Sequence, residues 1–243
     1  MSDNATVFDR RAAASRTAEA LLSLGAVHFY TDSPFIFTSG WASPVYIDCR
    51  HLSSFPDARR QLVADATDMI RAEVGVGHFD SVVGAETAGI PFAAWISEVL
   101  NVPMQYVRKQ PKGFARNAQI EGHFEHGQKA LLVDDIATDG RSKFKFATAI
   151  RGAGMQVKDV ATIFWYNIFP DSEESFRNHG LSLHSLASWT DVLNTARATS
   201  IVDSDTLTEL ELFLNDPISW SRAHGGVGEQ KPIAQPYAGD PQH

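Results

Sequence analysis

One stretch of the chain, residues 130–142 (ALLVDDIATDGRS), narrows the possible folds more than any other. Ala130, Leu131, Leu132 and Val133 form a short, unbroken apolar run, the pattern of a strand covered on both faces. Asp134 and Asp135 follow at its carboxyl end. Thr138, Asp139 and Gly140 then make a small-residue turn, and a helix can begin near Ser142. With its turn and helix, the stretch is the kind of unit that, repeated along the chain, argues an α/β architecture around a parallel sheet covered on both faces. Chemically it is also a cradle for a sugar phosphate. Backbone N–H groups of the turn and the helix N-terminus favour an anion, and Gly140 allows close backbone approach. The two carboxylates can accept hydrogen bonds from vicinal hydroxyls. The same residue types build ordinary acidic helix caps, so the stretch alone leaves both readings open.

The rest of the chain repeats the β–α alternation. Residues 9–24 place Ala13, Thr17, Ala20, Leu21 and Leu24 on one helical face, with Gly25 as a stop. Residues 27–48, punctuated by Pro34, Gly40 and Pro44, predict short strands and turns outside the main sheet. A helix is predicted over 57–73, then strand 81–84, helix 90–100 and strand 104–108. Strand 130–134, helix 142–151 and strand 159–166 continue the pattern. A further strand over 181–186 and helices over 189–197 and 205–214 close it. We expect a single domain over 1–222, with roughly the first 50 residues as an N-terminal helix and hood. Gly, Pro and Gln dominate from 223 onward, which predicts a flexible tail over 223–243. Ligands of such sheets bind beyond the carboxyl ends of the strands, where the acid pair lies.

With 243 residues and 44% hydrophobic content the chain can bury one full core. A formal charge of −8 argues against a general nucleic-acid binder. No apolar run is long enough for a membrane span and no secretory h-region is visible, so a cytoplasmic protein without membrane partners is expected. The single cysteine, Cys49, fits a reducing compartment. His123, Glu125 and His126 do not suggest a metal site, because a pair at i, i+3 needs a helix and this stretch should lead into a strand.

Three further segments resemble one family. Residues 37–50 (FTSGWASPVYIDCR) match the SG-x-x-S-P-x-Y-x-D segment of orotate phosphoribosyltransferases through Ser39, Gly40, Ser43, Pro44, Tyr46 and Asp48. Residues 84–91 (GAETAGIP) resemble the turn that lies against the diphosphate in type I phosphoribosyltransferases. Residues 106–122 (YVRKQPKGFARNAQIEG) resemble the mobile loop of that family, and Arg108, Lys109, Lys112 and Arg116 gather its cations in an otherwise acidic chain. The resemblance implies a type I phosphoribosyltransferase-like parallel sheet flanked by helices, with a small N-terminal hood. It implies transfer of a phosphoribosyl group from phosphoribosyl diphosphate (PRPP) to orotate in pyrimidine biosynthesis, Mg²⁺ as cofactor, and a homodimer sharing the loop across its interface. Carried over residue by residue, it assigns Lys109, Lys112, Asp134 and Asp135 to catalysis. PRPP binding falls to Arg108, Lys109, Lys112, Glu86, Thr87, Asp134, Asp135, Ala137, Thr138, Asp139, Gly140, Arg141 and Ser142. Orotate binding falls to Ser39, Gly40, Ser43, Tyr46 and Thr138. Asp134 and Asp135 become the Mg²⁺ ligands, directly or through water.

Several positions depart from the pattern. Thr38 and Ala88 stand where many members carry lysines, and Phe114–Ala115 replaces the usual His-Gly or Tyr-Gly of the loop. Asp139 puts an acid inside the phosphate turn, needing a partner such as Arg141 or Lys143. Residues 164–170 (FWYNIFP) lack the arginine that grips the orotate carboxylate in many members. Backbone N–H groups of residues 39–46 are then the expected carboxylate donors, and Trp41 is a candidate wall of the base site. These departures leave two alternatives open: another base as acceptor, or a non-catalytic PRPP-binding regulator.

Overall fold

A computed structural model describes residues 8–30, 33–37, 39–112, 119–169 and 171–228. Thr38, Phe114, Ala115, Arg116, part of the expected mobile loop and the chain beyond 228 lie outside the described residues. Helix α1 (Arg10–Ser23) is capped by Asp9, whose carboxylate accepts from Ala12 N. The hood follows as β1 (Val27–Phe29), β2 (Phe35–Ile36), β3 (Ala42–Ser43) and β4 (Val45–Ile47), paired antiparallel as β1–β4 and β2–β3. Then come α2 (Pro56–Met69), β5 (Ser81–Ala85), α3 (Gly89–Leu100), β6 (Met104–Val107) and β7 (Ile120–Glu121). The second half runs β8 (Lys129–Ala137), α4 (Arg141–Gly152), β9 (Gln156–Trp165), α5 (Ser172–Asn178), β10 (Ser182–Ser188), α6 (Trp189–Thr199), α7 (Ser204–Asn215) and α8 (Pro217–Ala223).

The main sheet has the order β10-β9-β8-β5-β6-β7, parallel except for β7. From β5 the chain moves to β6 on one side and then returns to β8 on the other. The carboxyl ends of β5 and β8 therefore flank the switch point of the sheet, where two loops diverge and leave a crevice. The predicted α/β class and its layers hold because β8 alternates between two cores. Leu131 and Val133 join one cluster with Ile96, Met69 and Trp189, while Ala130 and Leu132 join another with Phe144, Ile150 and Phe176.

Three sequence expectations change. Strand β8 runs through the acid pair to Ala137 instead of stopping at Asp134. Helices α5 and α8 were not legible, being short and, in α8, lying beside Gly-rich sequence. The tail expected from 223 does not begin there. Val227 N donates to Gly40 O at 2.8 Å, Gly226 N to Ser221 O at 2.8 Å, and Ser221 Oγ to Val227 O at 2.7 Å. Ser221 Oγ in turn accepts from Ala42 N at 3.0 Å, so residues up to 228 are stitched to the hood. Gly226 has no room for a side chain: a Cβ would stand 2.4 Å from Ala42 N.

Candidate active site

Two cavities meet over the switch point, sharing Phe37, Thr138 and Tyr166. The larger, about 790 Å³, holds Glu86, Thr87, Lys109, Asp134, Asp135 and Ser142 among its lining. The smaller, about 540 Å³, is walled by hood residues Ser39 and Trp41, by Asp139 and Arg141 of the turn, and by Phe169, Phe213 and Arg222.

The larger cavity is built on rigid elements. Helix α3 approaches β8 so closely that a Cβ on Gly89 would stand 2.4 Å from Val133 O, and only glycine fits there. On the other side, Gly140 takes φ +85° as N-cap of α4 and brings no capping side chain, leaving the positive end of the helix toward the cavity beside Ser142. The Glu86–Thr87 peptide is cis, and Glu86 Oε2 accepts from Lys109 N at 2.6 Å, tying the β5 turn to the chain after β6.

The acid pair is not two equivalent carboxylates facing a ligand. Asp134 and Asp135 are only 7% and 8% exposed. Asp134 Oδ2 lies 2.5 Å from Lys143 Nζ, and its Oδ1 accepts from Asp135 N at 2.9 Å. Lys143, in the first turn of α4, is itself 3% exposed and also reaches Ser142 Oγ at 3.2 Å. A buried lysine thus neutralises Asp134 from beneath, as a buried charge requires. Burial pushes the Asp135 carboxyl up to about 7, with the charge of Asp134 adding to the rise and Lys143 opposing it. Asp139, the acid inside the turn, is paired with Arg141 (3.0 Å) and not with Lys143, and it also accepts from Arg141 N at 3.1 Å.

Other assigned residues divide by what they touch. Glu86, Thr87, Lys109, Thr138 and Ser142 line the larger cavity as expected. Tyr46 lines it too, with its hydroxyl accepting from Arg50 Nη2 at 3.0 Å. Asp139 and Arg141 line the smaller cavity instead. Arg108 turns toward Glu121 at 3.5 Å and lines neither cavity; Lys112 is exposed outside both. Ala137 is a fully buried strand residue that lines neither cavity, and its carbonyl accepts from Tyr166 N. Ser43 is likewise fully buried, donating to Val45 O and accepting from Val45 N within the hood. Gly40 serves the hood turn, its N–H donating to Phe37 O and its carbonyl accepting from Val227 N.

That also changes the expected carboxylate donors. Of the N–H groups in 39–46, those of Gly40, Ala42 and Val45 already donate within the protein. At the end of β9, where the resemblance places an arginine, Tyr166 packs edge-on to Phe37 and Trp189, and burial pushes its phenol upward in pKa. Trp41 does line the smaller cavity, crossing Phe169 at 5.3 Å. Sequence reasoning treated Lys143 only as a partner for Asp139 and missed Arg50 and Arg222. The i, i+9 relation of Asp134 and Lys143 across a strand–turn–helix unit was the one available signal. Among the described residues, no group of three or more His, Cys, Asp and Glu side chains is arranged to hold a metal.

A phosphate turn and an acid pair at the switch point of a parallel sheet define the class of type I phosphoribosyltransferases, and residues 57–177 match the phosphoribosyl transferase domain family. An orotate phosphoribosyltransferase of Rhizobium rhizogenes is 48% identical over 224 residues, covering 92% of this chain and 97% of that protein. One of Dinoroseobacter shibae is 50% identical over 216 residues, covering 89% and 96%. The crystal structure of the Aeropyrum pernix orotate phosphoribosyltransferase superposes with a TM-score of 0.62 at 28% identity, covering 76% of this chain and 99% of that one. Leishmania donovani UMP synthase superposes with a TM-score of 0.73 at 25% identity over 84% of this chain, which spans only 43% of that protein. The chain belongs to the orotate phosphoribosyltransferase family.

Proposed function

We propose that this protein transfers the phosphoribosyl group of PRPP to N1 of orotate, releasing diphosphate and forming orotidine 5′-monophosphate for pyrimidine biosynthesis. The observation that carries the reading is the joining of an acid-and-phosphate cavity to an aromatic cavity through Phe37, Thr138 and Tyr166. A sugar phosphate in the first would present its C1′ to a flat base in the second. As the C1′–O bond lengthens, the electron pair goes to the diphosphate and the sugar gains oxocarbenium character. The N1–C1′ bond then forms and the N1 proton passes to solvent. The protein positions the reactants and stabilises developing charge, so no side-chain nucleophile is needed.

In this reading Asp135, with Asp134 beneath it, accepts from the ribose hydroxyls. The turn at 138–142 holds the 5′-phosphate, with Arg141 cancelling the charge of Asp139. Lys109 and Lys112 act on the departing diphosphate, the second reaching it across a homodimer interface. The charge of Asp134 is already paired with buried Lys143, so of the acid pair Asp135 is the carboxylate better suited to hold Mg²⁺ together with substrate oxygens. One carboxylate plus diphosphate suits an ion that keeps several waters. When bound, Mg²⁺ supplies charge neutralisation on the diphosphate. The location proposed is the cytoplasm, where orotate and PRPP would be met; no helix among the described residues is long and apolar enough to cross a membrane. The test is loss of orotate absorbance on adding PRPP and Mg²⁺; an unchanged spectrum, with PRPP intact, overturns the reading.

A further inference from the structure

The smaller cavity poses a charge problem. Its walls are largely aromatic and aliphatic, including Trp41, Ile168, Phe169 and Phe213. A carboxylate entering it loses water and needs a compensating donor. Three hood N–H groups are spent internally, and the end of β9 offers the buried, aromatic-packed Tyr166. Two guanidinium groups line the cavity. Arg141 is held in an ion pair with Asp139. Arg222, in the last turn of α8, donates from Nη2 to Gly228 O at 2.8 Å, the one side-chain hydrogen bond of its guanidinium among the described residues, and its charge also acts on Asp216 at the start of the helix.

We infer that Arg222 is the specificity-determining cation that reads the carboxylate of the acceptor base. The inference rests on the proposed reading, in which the acceptor is an anionic pyrimidine, and adds how that anion is told from its uncharged analogue. The Gly228 carbonyl anchors one branch of the fork. A side chain at 228 would collide with the guanidinium, since a Cβ there falls within 2.1 Å of both Arg222 Nε and Cγ. Helix α8 is itself fastened to the hood through Ser221 and Val227. The cation is therefore placed before the ligand arrives, which lowers the ordering cost of binding. A planar fork also matches a planar carboxylate better than an ammonium does.

The experiment compares the wild-type protein with Arg222→Gln and Arg222→Lys, using orotate and uracil as acceptors. Binding of orotidine 5′-monophosphate and uridine 5′-monophosphate, which differ only by the carboxylate, repeats the comparison without turnover. Arg222 is exposed, so both variants are expected to fold. Arg222→Gln should lower kcat/KM for orotate about 30-fold while the uracil value and KM for PRPP stay within about two-fold. The preference for orotidine over uridine monophosphate should fall by the same factor, and Arg222→Lys should keep part of it. An unchanged preference, or an equal fall for both bases, overturns the role of Arg222. If the wild-type protein fails to consume orotate, the proposed reaction itself falls, whatever the binding ratios show.

Discussion

The two cavities differ in how they are made. The floor of the larger cavity comes from contiguous chain: β8, its turn and the start of α4 supply Asp134, Asp135, Thr138, Ser142 and Lys143 within ten residues, and Tyr46, Glu86, Thr87 and Lys109 are added from the hood and the neighbouring strand ends. The base wall is assembled from the hood near 37–42, the β9 end near 166–169 and α7–α8 with its docked turn near 213–228. The floor is held by strand pairing on both sides and by a buried ion pair. The wall is held by a few side-chain and turn hydrogen bonds. In the proposed reading, chemistry common to a reaction class sits on a rigid floor, while acceptor choice sits on a surface that distant segments complete.

The largest effect expected from testing that contrast is at Lys143. Lys143→Met leaves Asp134 buried without its counter-charge and should cost about 3–5 kcal/mol of stability, read as a drop in Tm or denaturation midpoint. It should also move the acid limb of kcat/KM for PRPP to higher pH, because Lys143 holds the Asp135 carboxyl down from a still higher value. Asp135 titrates near pH 7 against 3.8 in the unfolded chain. Between those values the folded protein keeps a proton that the unfolded chain has released, so this group's contribution to stability falls as pH rises across the window. PRPP binding should strengthen over the upper part of it as the carboxylate ionises. A pH profile that Lys143→Met leaves in place would detach the lysine from the cradle.

Next in size, Asp134→Asn/Asp135→Asn should reduce kcat/KM for PRPP at least ~100-fold, about 2.7 kcal/mol, with orotate preference over uracil kept. Near-normal turnover would move the sugar out of this cavity. Lys112→Ala should lower kcat about tenfold, more than it weakens PRPP binding, because its charge counts most as diphosphate departs; equal binding and rate losses would break that assignment. Smallest is Ser221→Ala, which removes the hydroxyl joining α8 to Ala42 N and Val227 O. About 1–2 kcal/mol of stability should go with it. KM for orotate should rise while KM for PRPP holds, and a change shared by both substrates would erase the division between the two regions.

What the sequence by itself determined is the local part. The apolar run before Asp134, the turn at 138–140 and the recurring strand–helix pattern carried the sheet, its layers and the turn that borders the cavity, because period, turn chemistry and spacing are properties of neighbouring residues. Glu86, Thr87 and Lys109 were singled out by the family resemblance, and the fold sets them on the same cavity as the acid pair. Tertiary structure alone decided the rest. Strand β8 continuing into the acid pair, with α4 packed beside it, set Asp134 on Lys143. Burial made Ser43 a hood strut and withdrew Ala137 into the sheet. Docking of 224–228 turned an expected tail into part of the base wall and carried Arg222 to a cavity whose hood lies some 180 residues earlier in the chain. Local spacing holds no record of such encounters, since they depend on which surfaces the folded core leaves for distant segments to cover.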